Sequence, residues 1–465
     1  MNRTGRRLAL ALCAVLVLAN LALGLLAAQD RTARMRLTED AAYSDLYSRW
    51  RGTRELLLKG ENPYTPAATE ANERGQYGRL LGDNRWEVDA TGGYMGFTYP
   101  LYFALLIAPL ALLPFSIVKP LATLLIAAVL FWAALGAAEA AGWLAGRRRP
   151  LVGLLFLASF PAVDLVTLQQ PSGLTLGLVA LAALALRRRR LAIAGAALAV
   201  ATFKPSLVAL ACLGLVLWAA RDPRRRWRLP AALAATLAVM CALTLAMVPT
   251  WPLWFLEQLR TYALVNWLAS PIDLLPEGGW RVAVGAAMVL INLALFAWPR
   301  AGAGSEDSPP FGALALSFAT TLILVPTPSS YDRCFLIFAA AALGAAGAAG
   351  RPGFAGLATR LALVYLGVVM AAGTLVAAVA LLAGGAAPAV ATGGAMLFKA
   401  LLFLLPLMVW VALTATLLQG ISVGRGWRPR RGRRPGGDLP KGASQTRTLF
   451  PLPRLTASTQ TGAHD

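Results

Sequence analysis

Ten polar side chains in this sequence could do chemistry on a phosphorylated or hydroxylated ligand. Asp45, Asp164 and Asp332 are carboxylates able to take a proton, and Lys204 and Arg333 are cations able to hold a phosphate. Gln169, Gln170, Asn62, Tyr64 and Tyr99 could hydrogen-bond hydroxyl groups. Each has a plainer reading beside it. Asp45 stands where an Asp can cap a helix, and Asp332–Arg333 in "PTPSSYDRCF" could be a local cap or ion pair. Cys13, Cys212, Cys241 and Cys334 form no CxxC, and the single histidine is His464, so neither a disulfide framework nor a zinc site is expected.

The elements that must position these residues are helices in a membrane. The chain is 58 % hydrophobic and only 14 % charged over 465 residues, too little polar surface for a soluble protein of this size. Apolar runs recur, broken by arginine clusters, Pro and Gly, as in a polytopic α-helical membrane protein. The first run, about 8–28, resembles a signal peptide after "MNRTGRR". Its length and the many spans behind it favour an uncleaved first helix. The net charge of +21 would point to nucleic acid in a soluble protein, but the basic residues sit at the ends of apolar runs, where they set topology.

Placing "MNRTGRR", "RRR" (147–149), "RRRR" (187–190), "RDPRRRWR" (221–228) and "RGWRPRRGRR" (425–434) in the cytoplasm fixes a count. Segment 29–96 is then outside, and 97–145 must cross an odd number of times. One crossing fits, at 118–145, so "FTYPLYFALLIAPLALLP" (97–114) is expected as an interfacial or re-entrant helix on the outer side. Further spans are expected near 151–168, 172–186, 191–203, 205–220, 230–249, 281–299, 311–326, 331–349, 358–383 and 395–420. The expected architecture is all-α: a bundle of about twelve transmembrane helices over 1–423, with an outer loop at 29–117, an outer loop at 250–280 and both termini cytoplasmic. A basic tail, 424–465, should be disordered and lie on anionic lipid. No internal repeat is evident.

Segment 29–96 holds 11 of the 22 acidic residues and 10 basic ones, unlike the arginine-only inner loops. It also carries Tyr43, Tyr47, Trp50, Tyr64, Tyr77, Trp86 and Tyr94. Aromatic rings among carboxylates and amides suit a carbohydrate ligand; an ordinary folded loop with interfacial aromatics is the alternative. Within it, "YSDLYSRWRGTRELLLKGENPY" (43–64) predicts an amphipathic helix with Leu46, Trp50, Leu57 and Leu58 on its apolar stripe. Asp45, Arg49 and Glu55 should gather on the polar side, and "KGENP" should stop the helix. The arginine topology puts Asp45, Asp164, Gln169, Gln170, Lys204, Asp332 and Arg333 on one side of the membrane. Charge at that depth tends to pair or line a functional cavity. Lys399 is expected to begin the last helix, and Glu139, deep in 118–145, is either a buried structural group or faces a wet lateral opening.

The chain resembles the GT-C superfamily of polyprenyl-phosphate-sugar glycosyltransferases, and within it family 87. The likeness is carried by "SDLYSRWRGTRELLLKGENPY", "FTYPLYFALLIAPLALLP", "LQQPSGLTLGLVALAALAL" and "AGAALAVATFKPSLVALACLGLVLW", with "VPTPSSYDRCFLIF" as a weaker fifth stretch. It implies a GT-C-like fold, a site on the non-cytoplasmic face of the cell membrane, and an acidic residue of the first outer loop as catalytic base; Asp45 is the matching position. It implies a polyprenyl-phosphate sugar as donor, mannose above all, and no cofactor. Arg333 and Cys334 stand where family members often carry a histidine after the Asp of the fifth stretch.

Together these readings predict an inverting transfer to a lipid or glycan acceptor. Asp45 would be the base, Lys204 and Arg333 would hold the donor phosphate, and Asp164, Gln169, Gln170, Asn62, Tyr64, Asp332 and Tyr99 would contact sugar or acceptor. No D-x-D occurs, so neither a nucleotide sugar nor a metal is indicated. The expected partners are the bilayer, the lipid-linked donor and the acceptor, with no nucleic acid. A transporter or flippase of lipid-linked sugars, or a structural membrane protein, would use similar composition. The flippase would need a polar path to the cytoplasm.

Overall fold

The computed structural model describes residues 44–80, 95–143, 149–265, 270–298, 310–326, 330–348, 353–364 and 388–426, with Ala11, Leu366 and Gly367 as isolated positions. The expected first helix at 8–28, Tyr43, Trp86 and Tyr94, most of the 358–383 span, Cys13, and the expected tail from 427 on, with His464, lie outside the described residues; 424–426 end a helix. The chain divides after Gly426 into Met1–Gly426 and Trp427–Asp465, and the helices of the described residues belong to the first unit.

Every regular element among the described residues is helical. α1 is Tyr47–Lys59, α2 Pro66–Tyr77, α3 Tyr102–Ala111, α4 Phe115–Ala141, α5 Arg149–Leu157 and α6 Phe160–Thr167. Then come α7 (Ser172–Arg187), α8 (Leu191–Ala201), α9 (Pro205–Ala220), α10 (Arg228–Met247), α11 (Trp251–Val265) and α12 (Gly279–Ala297). The series ends with α13 (Phe311–Leu324), a 3₁₀ turn at Ser330–Phe335, α14 (Leu336–Ala348), α15 (Gly353–Val364) and α16 (Pro388–Gly426). By length and composition α4, α10, α12 and the Ala400–Gln419 part of α16 can each cross a bilayer. α5 and α6 add a fifth span only if taken together, and they meet at 69°. The span expected near 151–168 is therefore broken. Ser159 takes an extended backbone and Pro161 opens α6, which ends the preceding helix. The other apolar helices have 10–17 residues, so twelve full-length spans are not present among the described residues.

The stretch around 97–114 forms α3, ten residues and thus about 15 Å long, too short to cross a hydrocarbon core of about 30 Å. Pro114 ends it, and Pro109 lies within it. Its last carbonyls are taken by side chains of α1. Trp50 Nε1 donates to Leu110 O and Leu113 O at 3.2 and 3.1 Å, and Arg54 Nη1 donates to Ala111 O at 2.8 Å.

α1 stops at Gly60, whose φ of 72° lies in the left-handed region, as "KGENP" predicts. Its buried face differs from the expected one. Leu46 and Leu56 are buried, but Leu57 and Leu58 are exposed. The closely packed face carries Ser48, Gly52 and Thr53 instead, because a Cβ at Gly52 would stand 2.9 Å from the Phe97 ring and 3.1 Å from Pro63 Cβ. Glu55 does not join Asp45; it pairs with Lys59 at 2.6 Å. Glu139 is not deep in its helix either. It sits two residues before the end of α4 and pairs with Arg188 at 2.8 Å, beside the arginine cluster. Lys399 lies inside α16 rather than at its start.

One apolar core joins α4–α9 to α13, α14 and α16. A second, aromatic cluster, including Tyr64, Phe97, Tyr99, Phe103, Phe203 and Trp251, packs residues 97–107 against the α8–α9 junction and the start of α11. This second cluster carries the site.

Candidate active site

Asp45 is placed by its backbone: its N–H donates to Leu168 O at 3.0 Å, tying the entry of α1 to the end of α6. α6 ends in a Schellman arrangement, with Gln169 N donating to Val166 O (3.2 Å) and Gln170 N to Leu165 O (3.0 Å). The left-handed position is Gln169, at φ 50°, where glycine is usual. Its amide offsets the strain by donating to Thr123 Oγ1 at 3.0 Å, Val166 O at 3.2 Å and Thr167 O at 2.7 Å. Pro171 then starts the turn into α7. The effect is to fix Gln170 beside residue 45.

The Asp45 carboxylate is not a helix cap. The N-cap of α1 is Leu46, no side chain caps it, and Asp45 Oδ2 accepts a short hydrogen bond from Gln170 Nε2. The same Nε2 donates to Tyr331 Oη at 2.7 Å, while Gln170 Oε1 accepts from Tyr99 Oη at 3.4 Å. Arg49 closes the cluster from α1. It donates to Asp45 O (3.0 Å), Ser48 Oγ (2.8 Å) and Thr98 Oγ1 (3.2 Å), with its guanidinium over the Tyr99 ring at 5.2 Å.

The second half of the site is built on Lys204. Pro205 forces the preceding residue out of the helical region, so Lys204 becomes the N-cap of α9 with φ −116° and ψ 73°. Its ammonium bonds Ser172 Oγ and lies 2.8 Å from Asp332 Oδ1; Ser172 Oγ also donates to Asp332 Oδ1 at 3.0 Å. The two halves meet at Tyr331, whose ring lies 5.2 Å from Lys204 Nζ. Asp45, Lys204 and Tyr331 each keep part of their surface exposed, whereas Gln170, Ser172 and Asp332 are buried. A ligand would thus meet a carboxylate, an ammonium and a phenol held from behind by buried polar groups.

The structure brings Asp45, Gln170, Tyr99, Lys204 and Asp332 into this one network. Asp164 stands beside it, its Oδ2 accepting from Ser330 Oγ next to Tyr331. The remaining candidates take other places. Gln169 faces Thr123 of α4. Tyr64 is completely buried, donates to Tyr99 O at 2.6 Å, and burial pushes its phenol up. It shapes the Tyr99 loop from behind. Asn62 Oδ1 accepts from Tyr64 N at 3.1 Å in a local turn. Arg333 is buried in the 3₁₀ turn.

Arg49 gathers with Asp45 as expected, although it is buried. Two contributors escape a reading of the sequence. Tyr331 is overshadowed by the charged pair that follows it. α11 lies in a stretch expected as loop, although "WPLWFLEQLRTYALV" carries a proline at its second position, the usual start signal. Gln258 of α11 donates to Tyr64 O at 2.7 Å. Tyr262 is within electrostatic range of Arg49, Lys204, Asp45 and Tyr99, and burial pushes its phenol up.

Compared with known proteins, no curated protein matches the chain. The family model of glycosyltransferase family 87 matches residues 97–328. That range contains Tyr99, Asp164, Gln170, Ser172 and Lys204; Asp45 precedes it and Tyr331–Asp332 follow it closely. With its apolar helices and this match, the chain belongs to glycosyltransferase family 87.

Proposed function

We propose that the chain transfers a sugar, mannose by its resemblance to the family, from a polyprenyl-phosphate donor to a hydroxyl of a lipid or glycan acceptor on the non-cytoplasmic face of the cell membrane. The reaction inverts the anomeric centre. Asp45 takes the proton of the acceptor hydroxyl as its oxygen attacks the anomeric carbon. The bond from that carbon to the phosphate oxygen breaks, and the polyprenyl phosphate leaves with the electron pair. Lys204 stabilises the leaving charge: Ser172 and Asp332 engage two of its three N–H groups, and the third is directed to a phosphate oxygen. Arg333 adds positive charge behind the pair. Asp164, Tyr99 and Tyr262 border the space for sugar and acceptor.

The observation that carries this reading is the half-buried Asp45, its carboxylate held by Gln170 in the same network as the Lys204 ammonium. Purified protein given polyprenyl-phosphate-[¹⁴C]mannose and membrane lipid acceptors should release polyprenyl phosphate, and Asp45→Asn should stop it. Full activity of a folded Asp45→Asn protein removes the base from the mechanism. Movement of intact labelled donor across a vesicle membrane without release marks a flippase instead.

A further inference from the structure

We propose that Tyr331 is a positioning residue of the transfer: its hydroxyl holds the Gln170 amide with an N–H against Asp45, and so sets the carboxylate for proton transfer. The inference rests on Asp45 being the base.

Ionised Asp45 can only accept, which fixes the amide with Nε2 towards it. The other hydrogen of that nitrogen then needs an acceptor, because Gln170 is 3 % exposed and solvent does not replace a lost partner. Tyr331 Oη supplies it at 2.7 Å, and Tyr99 holds the opposite end of the amide. Without the Tyr331 oxygen, the amide must either leave a buried N–H unpaired or turn from Asp45 to find another acceptor. Tyr331 is also the residue at which the two halves of the site meet. Its ring lies 5.2 Å from Lys204 Nζ, and its chain neighbour Asp332 binds the same nitrogen at 2.8 Å. One residue thereby sets the spacing between base and cation.

Tyr331→Phe removes the oxygen and keeps the ring beside Lys204. The expected result is a kcat lowered about 3- to 30-fold with the donor KM within about twofold, since the loss acts through a hydrogen bond to the base. The acid limb of the pH profile should move to higher pH, because a carboxylate that loses an oriented donor is easier to protonate. The charged and titratable groups around Asp45 (Arg49 of α1, Tyr99, Lys204, Tyr262 of α11 and Asp332) are unchanged by the substitution, so the shift reports the amide. Gln170→Leu should show the larger effect, and adding Tyr331→Phe to it should cost no more than about a further twofold, the non-additivity of residues acting in series.

A wild-type pH profile and kcat in Tyr331→Phe overturn the proposal. So do losses that multiply in the double variant, or a raised donor KM at unchanged kcat, which would put the phenol on the donor. Asp45→Asn run in parallel separates the two failures. If it stays active, the base assignment falls; if it is inactive while Tyr331→Phe behaves as wild type, only the role of Tyr331 falls.

Discussion

Lys204 and Asp332 form a buried ion pair across 128 residues of sequence, with Nζ 2.8 Å from Oδ1 and Ser172 bonded to both. The side chains are only 14 % and 3 % exposed, so each charge depends on the other for most of its solvation. Removing one partner leaves an uncompensated buried charge, which costs about 3–5 kcal/mol. Asp332→Asn and Lys204→Met should each lower the unfolding temperature of detergent-purified protein markedly. Lys204→Met/Asp332→Leu should regain most of that stability, because an apolar pair needs no compensation. It should not regain transfer, since no cation remains for the leaving phosphate. An active double variant would remove Lys204 from the mechanism, and a double variant as unstable as the singles would show that more than the pair is at stake.

The adjacent glutamines should behave differently. Gln170 touches Asp45, whereas Gln169 serves the turn, with its amide on Thr123 and two carbonyls of α6. Gln169→Gly relieves a left-handed backbone that costs a non-glycine residue about 1 kcal/mol or more, and gives up those hydrogen bonds in exchange. Its transfer rate should stay within about threefold of wild type. Gln170→Leu strips the base of its donor and should lose about tenfold or more. Initial rates at saturating donor decide it; equal losses at both positions would mean that the turn, rather than the amide of Gln170, governs Asp45.

How far this site is legible in the sequence depends on the kind of signal. Pro205 after Lys204, Gly60 after Lys59 and the arginine runs are local, and they place α9, the end of α1 and several helix boundaries. Gln170 and Lys204 stand out as polar residues beside apolar runs, whereas Asp45 lies in a densely charged segment and Asp332 in a polar turn, and the family resemblance singles out Asp45. Their mutual bonds are not legible, since they depend on how α1, α6, α9 and the 3₁₀ turn converge. Hydrophobic periodicity fails where close packing uses small residues: Leu57 and Leu58 fit the expected stripe, yet Ser48, Gly52 and Thr53 make the buried face. The broken α5–α6 pair reads as one span because hydropathy does not register an extended Ser159 before Pro161. Tyr331 gives no signal of its own, for a lone tyrosine at the edge of an expected span is outweighed by the Asp–Arg pair beside it.

The arginine topology makes a claim about sides that can be checked without activity. Leu58, exposed near the end of α1, should lie outside the cell, and Arg188, exposed at the end of α7, should lie inside. In a cysteine-free background, Leu58→Cys should react with a membrane-impermeant maleimide on intact cells. Arg188→Cys should react only after permeabilisation. Labelling of both from the same side would put the base and the arginine cluster in one compartment and end the outward placement of the site.

Gly195 tests whether the short helices hold Lys204 in place. A Cβ at Gly195 would stand 2.2 Å from Leu229 O and 3.0 Å from Leu233 N, so α8 and α10 touch through backbone. Backbone cannot rotate away as a side chain can, and Gly195→Ala must therefore push the two helices apart. Overpacking of this kind costs about 1–3 kcal/mol. Gly279→Ala at the first residue of α12 is the control, since nothing lies within 4 Å of a Cβ there. Thermal unfolding should show a clear loss for Gly195→Ala and almost none for Gly279→Ala. The transfer rate should fall with the first as well, because α8 runs directly into Phe203 and Lys204, and a shift of its axis moves the ammonium away from Asp332 and from the phosphate it is to hold. Equal stability in the two variants would mean that α8 gives way at its ends instead, and that the position of Lys204 is set by Pro205 and Ser172 alone.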